Sequence, residues 1–258
     1  MKRTLILMAA AMLRALPVKA QWGALINQSI SVYSHGQVNF KDGHQEQYLW
    51  VELPKIGATK VKVTNDPKKK KPTELNAEDI ESLTFWTDKH PDDLFTLYYV
   101  HADKSKLPLS GMVQQDAWGY PLAGSAWGVI IKCHAFYEVD KKSDEIVLGS
   151  YRDQFGEREP VCYLVCKDFK NAQFIGVSGS MPKQRNVIRF AAPPKHIAPF
   201  FKSNPEIEKK ILNKKLDGKD IQYILDEMAA YHGLNEVVDA PAPTTENKSE
   251  NGQVGDDE

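Results

Sequence analysis

Apolar residues recur at every second position over much of this chain, most plainly across residues 126–138. There Trp127, Val129, Ile131, Cys133, Ala135 and Tyr137 fall on one side of an extended backbone, because successive strand side chains point to opposite faces. The other side, with Gly128, Ile130, Lys132, His134, Phe136 and Glu138, is mixed, which predicts an antiparallel strand with one face on a core and one partly wet. Polar breaks at 140–145 and 152–160 separate this strand from apolar runs at 146–151, 161–166 and 173–177. Four strands at such short spacing predict a meander.

Upstream, 31–38 and 47–53 read as strands, with Asp42 and Gly43 supplying turn chemistry between them and Pro54 ending the second. Residues 59–64 alternate β-branched and basic side chains, the pattern of a strand with one solvated face. Lys68 to Lys71 follow, bracketed by Pro67 and Pro72 and without aromatic residues to stack on bases, so this charge run reads as a solvated turn. Asn76 is placed to cap a short helical turn, with Asp79 answering it in a capping box, before a strand at 83–86. A strong strand at 94–100 leads into a predicted loop over 101–124 with a short strand at 112–115 inside it. That loop is longer than the roughly 15 residues that compact domains leave without structure. Residues 186–190 form the last predicted strand.

The period changes at Pro193-Pro194. Pro205 after Ser203-Asn204 suits a first helical position, with Ile207, Ile211 and Leu212 as a helical stripe. A second helix over 220–232 carries Ile221, Ile224, Leu225 and Met228 on one face, and Gly233 suits its C-terminal cap. Both stripes need a surface to bury them. From Leu234 onward one lysine stands against seven acids among Pro, Thr and Asn, the composition of a solvating, disordered tail.

The other end has its own character. Met1-Lys2-Arg3 precedes an apolar run over 4–13 and a small-residue site ending at Ala20, the layout of a secretory signal peptide cleaved after Ala20. The run is too short for a spanning helix, which needs roughly 20 apolar residues. No Cys lies near the site, so no lipid anchor is expected. The mature chain is expected in the periplasm or released, where disulfides are permitted. Its three cysteines are an odd number. Cys162 and Cys166 on one strand would lie about 13 Å apart, beyond the ~7 Å reach of a bridge, so buried core thiols are expected. A formal net charge of -1 offers no electrostatic reason to expect nucleic acid.

Few motifs carry chemistry. Gly176-Val177-Ser178-Gly179-Ser180 lacks the last glycine of a nucleophile elbow, and Ser180-Met181-Pro182-Lys183 matches Ser-x-x-Lys in a stretch that favours a turn over a helix. Cys133 and His134 are neighbours on a strand and point to opposite faces. The histidines show no metal-ligand spacing, and Asp92-Asp93 reads as a solvated turn. No catalytic residues, metal or cofactor are assigned. Within the 101–124 segment, Trp118 and Tyr120 stand with Gln115 and Asp116, a mixture suited to stacking on a ligand while hydrogen-bonding its edges. The same aromatics would also serve to plug one end of the sheet core.

Residues 77–83 after a strand and a basic turn, followed by 197–201, Asn204-Pro205-Glu206-Ile207 and Asp220-Ile221-Gln222-Tyr223-Ile224, resemble a class of exported proteins of Bacteroidetes. These share a signal peptide ending in Ala-Gln, a β-rich body and a small helical end. The resemblance implies an envelope protein of unknown role and brings no catalytic residues. The expected architecture is α+β, mainly antiparallel β: a barrel-like or sandwich sheet over 21–192, with a small C-terminal helical unit at 193–233 packed on it. The expected function is non-enzymatic binding of a small ligand, glycan, peptide or envelope protein through Trp118, Tyr120, Gln115 and Asp116. A secreted hydrolase of glycan or peptide, with separated carboxylates and histidines, is the alternative.

Overall fold

The computed structural model describes residues 32–66, 68, 71–103, 114–149, 152–153, 156–157, 159–179 and 187–234. Residues 1–20, expected to be a signal peptide, residues 235–258 of the acidic tail, Lys69, Lys70, Met112 and Ser180 to Lys183 lie outside the described residues. The chain is mainly antiparallel β with a small C-terminal helical unit. Its strands are β1 (Tyr33–Phe40), β2 (Gln45–Glu52), β3 (Lys60–Thr64), β4 (Thr73–Asn76), β5 (Ile80–Trp86), β6 (Phe95–His101), β7 (Asp116–Gly124) and β8 (Gly128–Cys133). There follow β9 (Phe136–Val139), β10 (Ile146–Gly149), β11 (Arg152–Asp153), β12 (Gly156–Glu157), β13 (Val161–Cys166), β14 (Gln173–Ser178) and β15 (Ile188–Phe190). The helices are α1 (Pro194–Ile197), α2 (Pro205–Leu212) and α3 (Ile221–Tyr231).

Eleven strands form one open sheet in the order β15-β14-β13-β8-β7-β6-β5-β1-β2-β3-β4. Local chemistry explains its turns. Gly43 takes a φ of 92° between β1 and β2, where a side chain would be strained. In β3 the alternation holds, with Val61 and Val63 buried and the lysines outward. The short turn at Ala77–Asp79 forms, but the expected cap does not: Asn76 donates its amide to the Asp79 carboxylate at 3.4 Å and caps no backbone N–H.

Two expectations change. The described part of 101–124 is mainly strand rather than loop, because β6 runs through His101 and β7 occupies nine residues from Asp116. Strand β7 pairs with β6 through Gly119 and with β8 from Tyr120, and it holds Pro121 at a register shift, where a missing N–H is tolerated. The meander is also interrupted. Strand β8 stops at Cys133, β9 and β10 make a separate two-stranded hairpin, and β13 returns to pair with β8. The hairpin places Tyr137 in the core that β1–β7 enclose with Val38, Leu83, Phe85, Leu97 and Trp118.

The face of β8 expected to be partly wet is buried: Ile130 is 0%, Lys132 2% and His134 7% exposed. The helical unit covers Ile130, while Tyr120 and the hairpin residue Tyr137 lie against Lys132 and His134. Ile130, Cys162, Leu164 and Ile175 pack against Phe201, Ile207, Ile211, Ile224, Leu225 and Met228, while Ile131, Cys133, Val161 and Tyr163 fill a second core on the other side. Helices this short are marginal alone, and burying each Ile, Leu or Met contributes about 1.5–3 kcal/mol. Asn204 caps α2 by accepting from the N–H groups of Glu206 and Ile207, Asp217 and Asp220 form a capping box, and Gly233 closes α3 at φ 66°. Leu212 departs from its predicted stripe and is exposed. Ser125 donates to the Leu225 carbonyl at 3.0 Å and Gln222 to the Gly124 carbonyl at 2.9 Å, which ties α3 to the β7–β8 turn.

All three cysteines are free and buried. Cys162 and Cys166 face the helices, and Cys133 faces the second core. Burial pushes the Cys133 thiol well up, Cys162 to about 12 and Cys166 to about 11. Among the described residues no helix is long and apolar enough to cross a membrane.

Candidate functional site

The segment between β2 and β3 is held along its length by backbone hydrogen bonds. Leu53 N donates to Val32 O at 2.7 Å, Ile56 N to Ala135 O at 3.2 Å and Gly57 N to Asp116 O at 2.9 Å. Gly57 takes a φ of 82°, which a side chain would resist. The Trp118 indole donates to Ala58 O at 2.9 Å from the core side. The loop is therefore a fixed wall, and a shallow, open cavity of about 360 Å³ lies on it.

Lys55, Lys60, Lys62, Glu52 and Glu74 supply the charged lining. The pleat brings them together: Lys62 stands opposite Glu74 in the β3–β4 register, and Lys60 Nζ reaches Glu74 at 3.0 Å while Lys62 Nζ lies 3.7 Å from Glu52. Partial burial lowers the Lys55 ammonium from its usual value, an effect that Glu52 opposes and Lys62 reinforces. Exposed pairs of this kind contribute at most about 1 kcal/mol, so the lysines remain available to an anion that offers better geometry.

Register also explains the cluster behind the loop. His101 stands opposite Asp116, and Tyr99 opposite Trp118, so four side chains share one face of β6–β7. Asp116 Oδ1 accepts from the Tyr99 hydroxyl at 2.6 Å and from His101 Nδ1 at 2.7 Å. With Nδ1 donating, Nε2 is the acceptor for the Gln115 amide at 3.1 Å. Burial, and then the Asp116 hydrogen bond, raises the Tyr99 hydroxyl well above its usual range. Both imidazole nitrogens are occupied, which makes His101 a clamp across the strand pair.

Of the four residues singled out by sequence, the structure brings three together. Gln115 and Asp116 are half-buried in the His101 network, and Trp118, at 0% exposure, backs the loop away from solvent and packs on Tyr99 with ring centroids 5.4 Å apart. Tyr120 lies further along β7, half-buried. It stacks on His134 at 5.8 Å, its hydroxyl is 3.3 Å from His134 Nε2, and Lys132 Nζ sits 5.8 Å above its ring. The Cys133 thiol lies in the second core, apart from the His134 ring.

Sequence reasoning missed Tyr99 and His101, whose signal is visible only once Asp116–Gly124 is known to return as a strand beside β6. It also missed the cavity, because Lys60 and Lys62 look like a solvated face until Lys55 and Glu52 are folded beside them. Among the described residues no group of three or more His, Cys, Asp or Glu converges to hold a metal ion. Comparison of the chain with protein-family models, with curated proteins and with solved structures finds no match.

Proposed function

We propose that this is an exported, non-enzymatic binding protein of the cell envelope, which receives an anionic group of a glycan or peptide in the cavity on the 54–59 loop. The observation that carries this reading is the convergence of three lysines on a wall braced from behind by Trp118 and Asp116. A braced wall lowers the ordering cost of binding, and the lysine ammoniums supply charge to a carboxylate, sulfate or phosphate. The address rests on the pattern of residues 1–20. Gln115, Asp116 and Trp118 serve as support that holds the loop in place, and Tyr120 stands outside the site.

The Asp116–His101 pair favours a second reading, since a carboxylate that orients an imidazole is the arrangement a hydrolase uses for its base. Gln115 on Nε2 weighs against it, because the nitrogen that would take a proton is engaged. Titration of acidic oligosaccharides and acidic peptides, read by thermal shift and calorimetry, separates the two. Binding weakened by about tenfold in Lys55→Ala and Lys62→Ala, with unliganded melting unchanged, supports the cavity. Equal affinity in both variants overturns it. Release of reducing ends or new amino groups that disappears in His101→Ala would establish the hydrolase.

A further inference from the structure

The sheet has a second surface whose chemistry differs from that of the cavity. On β1, Tyr33, His35, Gln37 and Asn39 point away from the core, because Ser34, Gly36 and Val38 point into it. The registers extend that face across neighbouring strands: Gln37 stands opposite Gln47 on β2 and Thr84 on β5, and Thr84 stands opposite Thr96 on β6.

The amides and hydroxyls form an ordered chain. Gln47 Nε2 donates to Gln37 Oε1 at 3.3 Å, Gln37 Nε2 to Asn39 Oδ1 at 2.7 Å, and Asn39 Nδ2 to Ser82 Oγ at 2.8 Å. Thr84 and Thr96 hydroxyls meet at 3.1 Å. Each amide uses part of its capacity internally and keeps a donor or a lone pair for a ligand. Long polar side chains on a wet sheet face ordinarily retain rotamer freedom, so this mutual ordering reduces what a ligand must impose.

One end of the face is aromatic. Trp50 is 41% exposed, with its ring centroid 6.1 Å from Tyr33, and the His35 ring stacks near Trp86 at 6.4 Å and 18°. Formal charge is confined to the borders, where Asp88 is hydrogen-bonded to His35, Glu81 stands near Tyr98, and Glu52 stands opposite Tyr33. No Lys, Arg, Asp or Glu projects from the middle of the face on β1, β5 or β6.

We infer that this face binds a neutral polysaccharide, with sugar rings stacked on Trp50 and Trp86 and hydroxyls paired with Gln37, Gln47 and Asn39. The charge pattern selects the class. A polyanion would find no cation among these residues and acids at the rim, and an apolar partner would have to desolvate the amide chain without replacing its hydrogen bonds. A hydroxyl-rich neutral chain both donates and accepts, as the amides do, and its apolar ring faces suit the exposed Trp50 indole and the half-buried Trp86 indole. The face adjoins the cavity at Glu52, but Gln37, Gln47, Asn39, Trp50 and Trp86 are not part of the cavity lining, and the inference does not depend on the cavity.

The test is affinity electrophoresis of the full chain in native gels containing hydroxyethylcellulose, laminarin or mannan, with polygalacturonate as the anionic comparison. Retardation is expected in at least one neutral polymer, unchanged by about 0.5 M salt. It should weaken by about tenfold in Trp50→Ala and in the Gln37→Ala/Gln47→Ala pair, and stay at the wild-type level in Lys55→Ala. Melting of the exposed-face variants at the wild-type temperature checks that the fold is intact. The inference is overturned if no neutral polymer retards the protein, if only polygalacturonate does so, or if the folded Trp50 and Gln37/Gln47 variants migrate like wild type. A loss of anion binding in Lys55→Ala concerns the cavity alone.

Discussion

The two halves of the eleven-stranded sheet solve the same burial problem differently. Strands β8, β13 and β14 carry a core on each face, with helices on one side and the second core on the other. Strands β1, β2, β3 and β5 bury one face and leave the other to water and to any ligand. The difference shows in side-chain type: Val161–Cys166 is apolar at every position, whereas Lys60–Thr64 alternates. A half closed on both faces has no surface to offer, and a half closed on one face does. Both candidate binding surfaces accordingly lie on the open half.

Substitution tests this contrast most strongly. In the closed half adjacent residues are both core, so Ile130→Ala and Ile131→Ala should each cost about 2–5 kcal/mol. In the open half Leu83→Ala should cost as much, whereas outward Gln47→Ala should stay within about 0.5 kcal/mol. Urea denaturation of the four variants measures this, and a small loss at either isoleucine would break the comparison.

Alkaline titration probes the closed half through its thiols. Burial raises Cys162 from its ordinary 9.0 to about 12 and Cys166 to about 11. Unfolded chains lose these protons first, so the thiol contribution is fully present below pH 9 and is lost as pH climbs toward 11–12. The urea midpoint should fall across that window, and Cys162→Ala should flatten the fall. Alkylation near pH 8 should be slow for the native protein and fast after denaturation.

The lid of helices offers a smaller lever. A Cβ at Gly218 would lie 2.4 Å from Ile188 O, so Gly218→Ala should cost about 1–3 kcal/mol and speed alkylation of Cys162 as the helical unit lifts from β15. Unchanged thiol reactivity would show that the helices do not guard that face. Smallest is Asn204→Ala, which removes the α2 cap for about 1 kcal/mol, measured as a reduced urea midpoint with the β-sheet spectrum retained.

Much of the fold was legible because its causes are local. A period of two marked β3 and β8, runs of strand-forming residues marked β1, β2, β5 and β6, and Asn204, Pro205 and Gly233 marked helix ends from within a turn of the residues they cap. Strand β4 was missed because Leu75 alone carries its apolar signal. The candidate site was less legible. Trp118 and Asp116 drew attention by residue type, yet their setting depends on partners at His101, Tyr99 and Ala58 that are remote in sequence.

What the sequence by itself determined is the alternation of its strands, the ends of its helices and the thiol character of its cysteines, each set by chemistry within a few residues. Only the tertiary structure decided that β7 joins two halves, that helices cover Ile130, and that Lys55, Lys60 and Lys62 share a cavity. Those outcomes depend on register and on which faces meet, and the free energy of that choice is spread over contacts far apart along the chain.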